Sequence, residues 1–444
     1  MTLHYVPAGV EIYPATSAQV VVNHEPNAKE ETDFGKKYKQ WRTTTRTVTL
    51  VTKSLRDGSN LKQEAEALIP IFNSAWVKAT GLTKVLANPI HANYIKGPYE
   101  DKGIESIIDS GGFQMLKGTV LFVDPDDVVT RYNEQANIGM PLDLPVRSYL
   151  EEVFFDPVSR MIRANDEYIS SRLNKGVHLA LISHGASLEA RKRRLDVLDR
   201  KAEVVAIAGL NIKPAVGVDH VLNNIENLMY VVQRYHKTTR YFHVLGVTSK
   251  LWLFMYAVIE ASKYVNEIGA DSVSHRLGAL TGLYDTANFK SISLSKATPY
   301  RTPCQCSCPI CSQVDDMRIM HNQLLLESHN LWVRAKQTEL IHDMARAYIR
   351  GGIPLREVYD VLQLKELRAQ NLDMTKFQYI THYAQEVMAA DKFRPIKPLK
   401  GHSSLFRGLN ASTVKKDELY HRYLKILRSY EKFHKKRFLA KEVH

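Results

Sequence analysis

Between about residue 45 and residue 300, short β-branched or apolar runs alternate with longer stretches in which apolar residues recur at helical spacing. The runs Thr47–Val51, Ile107–Ser110, Leu121–Val123, Val177–Ile182, Val204–Ala208, Phe242–Leu245 and Asp271–Ser274 are predicted as strands, and many of them end in Gly, Asp or His. Of the stretches between them, Asp126–Ala136 follows an Asp-Pro-Asp-Asp start signal, and Trp252–Ile268 carries Leu, Ala and Ile on one helical face. Both are predicted as helices. Repeated βα units give an α/β class with a parallel sheet, and the length fits a (β/α)8 TIM-like barrel.

The pattern changes at both ends. Residues 1–45 show no clear periodicity and read as an irregular N-terminal extension, with the barrel over 46–335. From Leu324 the chain turns to helices without strands, including Leu340–Ile349 and Leu355–Leu364, so 336–391 reads as a helical region. Arg394-Pro-Ile-Lys-Pro398 reads as a linker opening a basic segment over 392–444. Within that segment Tyr420, Tyr423, Leu424, Leu427 and Tyr430 share one helical face, with Arg422, Lys425, Lys432 and Lys436 outside it.

Composition narrows the function classes. With 44% apolar and 24% charged residues over 444 positions, global disorder and a small disulfide scaffold are excluded. The net charge is +13, and the residues from Lys392 onward supply +11 of it, 15 Lys and Arg against four acidic side chains. A polyanion, first of all nucleic acid, is the expected partner. The most apolar run, Leu251–Ala261, is interrupted by Glu260 and is too short for a bilayer, so no membrane association is expected. The first residues lack a basic region followed by an apolar one, which makes cytoplasmic residence the expectation.

All four cysteines fall in one window, Cys304, Cys306, Cys308 and Cys311, too close for two strain-free disulfides. Cys306-Ser-Cys-Pro-Ile-Cys311 offers three soft thiolates, and a downstream imidazole would complete a tetrahedral Cys3His set for structural Zn2+. His329 is the chosen fourth ligand, His321 competes with it, and Cys304 could replace either. The site spans about 304–331 as an insertion in the barrel. Four protein ligands leave no open position, so folding rather than catalysis is expected of the metal.

Ile107-Ile-Asp-Ser-Gly-Gly-Phe-Gln114 resembles the Asp-Ser-Gly-Gly-Phe-Gln segment of the guanine transglycosylase superfamily, and Cys-x-Cys-x2-Cys followed by His329-Asn-Leu resembles that family's zinc site. The resemblance covers about residues 80–335. Gly139-Met-Pro-Leu-Asp143 is similar to the family segment whose aspartate binds the guanine edge, Ile207-Ala-Gly-Leu210 to the Gly-Gly-Leu segment, and Phe242-His-Val-Leu-Gly-Val247 to the barrel strand that follows. The chain departs from the tRNA enzymes at His184-Gly185, where they have Gln-Gly, and at Asn211-Ile-Lys213, where they have Val-Gly-Glu. Their nucleophile stretch Asp-x-Phe-Asp is matched by Gly269-Ala-Asp-Ser-Val-Ser274; Asp271 takes the nucleophile role, although strict alignment would put Ser274 there.

The resemblance implies exchange of a guanine in a polynucleotide for a free 7-deazaguanine base (preQ0-like), through a covalent aspartyl–glycosyl intermediate. Asp109 and Asp271 are the expected catalytic pair, with Asp109 carrying the proton. Ser110, Gly111, Gly112, Phe113, Asp143, His184, Gly209 and Leu210 are the expected base-binding residues. Asp143 would accept the base's N1–H and amine, and Phe113 would either stack on the base or fill the barrel rim. Asp156 is an alternative for base recognition and reads more simply as a loop cap. The altered nucleophile stretch, the Gln-to-His change and the basic C-terminus make the chain most similar to the DNA-modifying branch found in phages and bacteria. DNA is therefore the expected polymer and tRNA the alternative; a catalytically silent nucleic-acid-binding subunit is the third reading. Homodimers are frequent in the family.

Overall fold

The computed structural model describes residues 2–7, 80–87, 100–118, 120, 122–146, 150–198, 200–210, 219–294, 306, 308, 310–311, 323–364, 372–397 and 413–442. They form a mixed α/β structure with parallel sheets and helices. The first sheet comprises β2 (Lys84–Ala87), β3 (Glu105–Ile108), β4 (Ile138–Gly139) and β5 (His178–Leu179), in that order and all parallel. In the second, β1 (Thr2–Pro7), β9 (Glu267–Ser272), β8 (Tyr241–Val244), β7 (Val204–Ile207) and β6 (Leu181–Ser183) are parallel neighbours in that order. Only Ala180 separates β5 from β6, and β1 lies beside β2. A two-stranded antiparallel ribbon of β10 (Leu283–Asp285) and β11 (Ser291–Ser293) stands apart.

Strands β2, β7 and β8 are buried along their whole length, as expected of parallel strands covered on both faces. The helices α1 (Gly112–Lys117), α2 (Pro125–Gln135), α3 (Glu151–Ser170), α4 (Leu188–Leu198), α5 (His220–Tyr235), α6 (Lys250–Ala261) and α7 (Ser274–Leu280) alternate with them. The Asp124 carboxylate caps α2 by accepting from the Asp126 amide, and Asp219 caps α5 through Val221 and Leu222. At the amino ends of the strands, Lys84 is buried against Glu105 and Glu267 and lies over the Tyr241 ring. That network marks the end of the sheets opposite the carboxyl ends of the strands.

A second helical layer follows: α8 (Gln323–Ile349), α9 (Leu355–Val361) and α10 (Met374–Ala390). Helix α6 is covered by both α8 and α10, and for that reason Leu251–Glu260 is buried on every side. The buried Glu260 is bonded to His342 of α8. No helix among the described residues is long and apolar enough to cross a membrane.

Helix α11 (Thr413–Glu442) seats its aromatic stripe on α1 and α3. Tyr423 and Tyr430 are fully buried, whereas Tyr420 lies at the edge of the contact. Tyr423 stacks on Phe154 at 4.9 Å and Tyr430 packs on Phe122 at 4.8 Å. Arg422 donates to the Leu116 carbonyl (2.8 Å) and Tyr430 to that of Val123 (2.9 Å).

Several elements differ from the sequence reading. Thr2–Pro7, expected to be irregular, is a strand registered against β9, a long-range pairing that local periodicity does not reveal. Phe122 and Val123 are not in a strand, because their apolar surface and carbonyl serve the seat of α11. The helix expected over Trp252–Ile268 stops at Ala261, where Lys263 takes a left-handed conformation (φ 59°) and returns the chain into β9. Strand β9 ends at Ser272, which leaves Ser274 on α7. Thr47–Val51 lies outside the described residues, as do Cys304 and His321.

Candidate functional site

The expected site residues gather at the carboxyl ends of the parallel strands, the end of such sheets where ligands bind. Asp109 follows β3, Asp143 lies just beyond β4, His184 follows β6, Gly209 follows β7 and Asp271 sits near the end of β9. The Ser110 amide donates to Asp109 Oδ1 (2.9 Å), which aims the carboxylate along the strand end. Burial pushes the Asp109 carboxyl up to about 6; the neighbouring Asp271 charge adds to the rise, and the Ser110 amide opposes it. Asp143, 9% exposed, is pushed up to about 7, first by burial and then by repulsion from Asp109, with Arg194 opposing. Asp109 thus lies in the field of Asp271, and Asp143 in the field of Asp109.

Gly111 and Gly112 hold the first wall of the site. Gly111 adopts φ 89° as the N-cap of α1. A Cβ on Gly112 would fall 1.8 Å from the Asp143 carbonyl oxygen, so only glycine allows the Asp109 and Asp143 segments to touch. Ser110 is buried and its hydroxyl is 3.4 Å from the Gly112 amide. Phe113 is 45% exposed with the Lys117 ammonium 4.5 Å from its ring centre, so it fills no interior rim. Asp156 is exposed on α3 rather than capping a loop.

The second wall pairs His184 with Gly209. His184 is buried, and a Cβ on Gly209 (φ 81°) would meet its Nε2 at 3.3 Å. Leu210 is buried, with its carbonyl accepting from Asn224. Arg191 ties this wall together from inside: fully buried, it donates to the carbonyls of Ser183 (2.8 Å), Gly185 (2.8 Å) and Ala208 (2.9 Å). Sequence reasoning did not single it out, since a charge run such as Arg191-Lys-Arg-Arg194 reads as a solvated face.

Asp271, with a side chain 14% exposed, is the carboxylate whose charge reaches Asp109. Its Oδ1 accepts from the Gly246 amide (2.9 Å) and lies 3.2 Å from His243 Nε2. Ser274 opens α7 with its amide on the Ser272 hydroxyl (3.0 Å). His243 is the second residue the sequence reading passed over. The available signal was a lone imidazole inside an apolar strand, Tyr241-Phe-His-Val244.

Away from the strand ends, Cys306, Cys308, Cys311 and His329 bring their ligand atoms within 4.8 Å of one another, a cluster that could hold a metal ion. His329 Nδ1 lies 3.4 Å from Cys308 Sγ and 3.3 Å from Cys311 Sγ. Its Nε2 is 2.8 Å from the Asp285 carbonyl, to which it donates, so the Nδ1 lone pair points at the thiols. Hydrogen bonds from Cys308 and Cys311 hold the Cys306 thiol well below its ordinary range. Tyr284 stacks on the His329 ring at 3.8 Å, and Asn330, next along α8, bonds the Leu283 carbonyl (2.9 Å) and the Asp285 amide (3.0 Å). The cluster therefore fastens α8 to the β10 strand.

Comparison of the sequence with protein-family models and with curated proteins returns no match to either.

Proposed function

We propose that the chain is a DNA guanine transglycosylase, which replaces a guanine in DNA by a free 7-deazaguanine base. The observation that carries this reading is the pair of carboxylates Asp109 and Asp271 at the carboxyl ends of parallel strands, near enough that the Asp271 charge raises the Asp109 carboxyl, with Asp143 on the other side of Asp109 feeling its charge in turn. The same reading takes the strands to close into a (β/α)8 barrel. In support, one strand interrupted at Ala180 links the two sheets on one side, and β1 lies beside β2 on the other.

Asp271 attacks C1′ of the target nucleotide through a carboxylate oxygen, forming the C1′–O ester as the C1′–N9 bond breaks. The bonding pair passes to N9 of the departing guanine, which takes a proton from Asp109. Asp109 then removes the proton from the glycosidic nitrogen of the incoming base. That nitrogen attacks C1′, and the ester bond returns its electron pair to Asp271. A carboxyl held at about 6 suits a group that must both give and take a proton near neutrality. Asp143 accepts from N1–H and the exocyclic amine of either base, and the backbone beside Gly209 reads the opposite edge.

The donor set of three thiols and one imidazole nitrogen fits zinc. Cys306, Cys308, Cys311 and His329 would hold it, and bound there it supplies folding energy to the junction of α8 with β10.

The choice of DNA over tRNA rests on the altered nucleophile stretch Gly269–Ser274, on His184 in place of Gln, and on the basic C-terminal helix. Lys425, Arg428, Lys432, Lys435 and Lys436 follow one another along the exposed side of α11, opposite its buried tyrosines, and form a basic track for phosphates beside α1. A nucleotide inside a duplex must be extruded to reach a site at strand ends, and contacts to flanking phosphates would hold the duplex meanwhile.

Radiolabelled guanine offered with duplex DNA or with tRNA tests the reading. Label entering DNA alone is the expected result. Label entering tRNA alone moves the substrate to tRNA, and label in neither polymer, with the metal in place, overturns the enzyme reading in favour of a silent nucleic-acid-binding subunit.

A further inference from the structure

We propose that His243 is the positioning residue for Asp271: a neutral imidazole, fixed in one tautomer by Tyr241, that occupies Oδ1 of the carboxylate and leaves Oδ2 as the oxygen that attacks the sugar. The inference rests on the base-exchange reading above and specifies which atom performs it.

Tyr241 and His243 are two residues apart on β8 and so share a face of the strand. Both are fully buried. The Tyr241 hydroxyl lies 2.7 Å from His243 Nδ1, and His243 Nε2 lies 3.2 Å from Asp271 Oδ1. Burial pushes the Tyr241 phenol well above its ordinary value, so it remains a donor throughout the range in which a polynucleotide is stable. The Asp271 carboxylate oxygen accepts, so the Nε2 that lies against it carries the ring proton; Nδ1 of the neutral ring is then an acceptor, and the Tyr241 hydroxyl donates to it.

Asp271 Oδ1 therefore receives two donors, His243 Nε2–H and the Gly246 amide at 2.9 Å. Both come from β8 and the residues just after it, and a two-point hold fixes the plane of the carboxylate as well as its position. Oδ2 receives no hydrogen bond from the described residues. A carboxylate with one oxygen doubly bonded and the other unencumbered is prepared for attack through the latter. A charged imidazolium would draw electron density from the same group and weaken it as a nucleophile, so the neutral tautomer is the productive one.

The test has a resting-state arm and a kinetic arm, both on the full chain with its metal bound. In 15N spectra of the parent, His243 Nδ1 is expected at an acceptor-type shift and Nε2 at a protonated shift. Two protonated nitrogens, or the opposite tautomer, overturn the inference. His243→Leu is expected to lower kcat for base exchange about 100-fold with KM for the free base nearly unchanged, the effect of a misplaced reacting atom. His243→Gln, which keeps a donor toward Asp271, is expected to recover most of that loss. Tyr241→Phe is expected to lower kcat about 10-fold and to release the tautomer in the spectrum. It also serves as the decisive variant should His243→Leu fail to fold. Wild-type kcat in folded His243→Leu or Tyr241→Phe overturns the inference and leaves the base-exchange reading intact. A parent that exchanges no base overturns that reading instead, and the spectrum still decides the tautomer.

Discussion

Tyr423 of α11 donates its phenolic hydrogen to the carbonyl oxygen of Pro145, two residues beyond Asp143. The same helix reaches the Asp109 side of the first wall of the site through Arg422, bonded to Leu116 of the helix that begins at Gly112. It also reaches behind the Asp143 segment, where His434 bonds Asn165 (2.9 Å) and Asn165 bonds the Leu142 carbonyl (3.3 Å). The basic helix is thus a brace for both the Asp109 and the Asp143 segments, and its removal would disturb the site along with any phosphate contact.

Substitutions at that contact separate packing from hydrogen bonding. Tyr423→Phe should cost about 1 kcal/mol by leaving the Pro145 carbonyl without its donor. Tyr423→Ala should cost about 3–5 kcal/mol through the cavity beside Phe154. Urea titration of the two variants checks the difference; equal losses would mean that the ring contributes nothing beyond its hydroxyl.

Charge on the outer side of α11 can be removed without touching its seat. Replacing Lys425, Arg428, Lys432 and Lys435 by Gln should reduce the slope of log K against log salt for duplex binding by about 3–4, since each lost phosphate contact removes about 0.9. Base exchange at saturating DNA should be retained. A slope identical to the parent's rules out the track.

The raised carboxyls make stability depend on pH in a defined direction. Asp109 ionises near 3.8 in the unfolded chain and near 6 in the folded protein, so the folded state binds more protons between those values and stability falls as pH rises through that window. The loss is complete above pH 7 and is on the order of 3 kcal/mol. Asp143, raised to about 7, has the same sign over a wider window. Asp109→Asn and Asp143→Asn should each melt higher than the parent at pH 8, converging with it near pH 4, while Asp109→Asn loses base exchange. Thermal melts across pH 4–8 measure this, and a parent whose stability climbs with pH over that range contradicts it.

The metal cluster predicts a chemical and a structural loss together. Cys308→Ser or His329→Ala should abolish stoichiometric metal in elemental analysis of the purified protein. Protection from hydrogen exchange should fall in β10 and the start of α8, which the cluster joins. Retained metal in both variants would place the ligands elsewhere.

How far the sequence could be read depended on the range of the interactions involved. The α/β alternation was legible because strands such as Val204–Ile207 are buried on both faces and therefore uniformly apolar. Cys306, Cys308, Cys311 and His329 were legible because a thiolate set needs close spacing and a nearby imidazole. Asp109 and Asp143 were singled out because the segments Ile107–Gln114 and Gly139–Asp143 resemble motifs of the transglycosylase superfamily, and the structure brings the two segments together across Gly112. What escaped was carried by distant partners. Strand β1 is defined by β9, the end of α6 by a single left-handed Lys263, and the surroundings of Phe122 by a helix some 300 residues later. Arg191 and His243 escaped because each resembles a commoner kind of residue, a surface charge or a core histidine, until its neighbours are known.

Strand β1 carries a consequence for biosynthesis. Thr2 pairs with Glu267 and Val6 with Asp271, so this strand must wait without its hydrogen-bonded partner until the ribosome has delivered residues more than 250 positions downstream. The carboxylate assigned to the sugar thus acquires one flank of its sheet only when Thr2–Pro7 meets a segment made much later. Ribosome-bound nascent chains ending before residue 267 should lack that flank, however well formed their other strands.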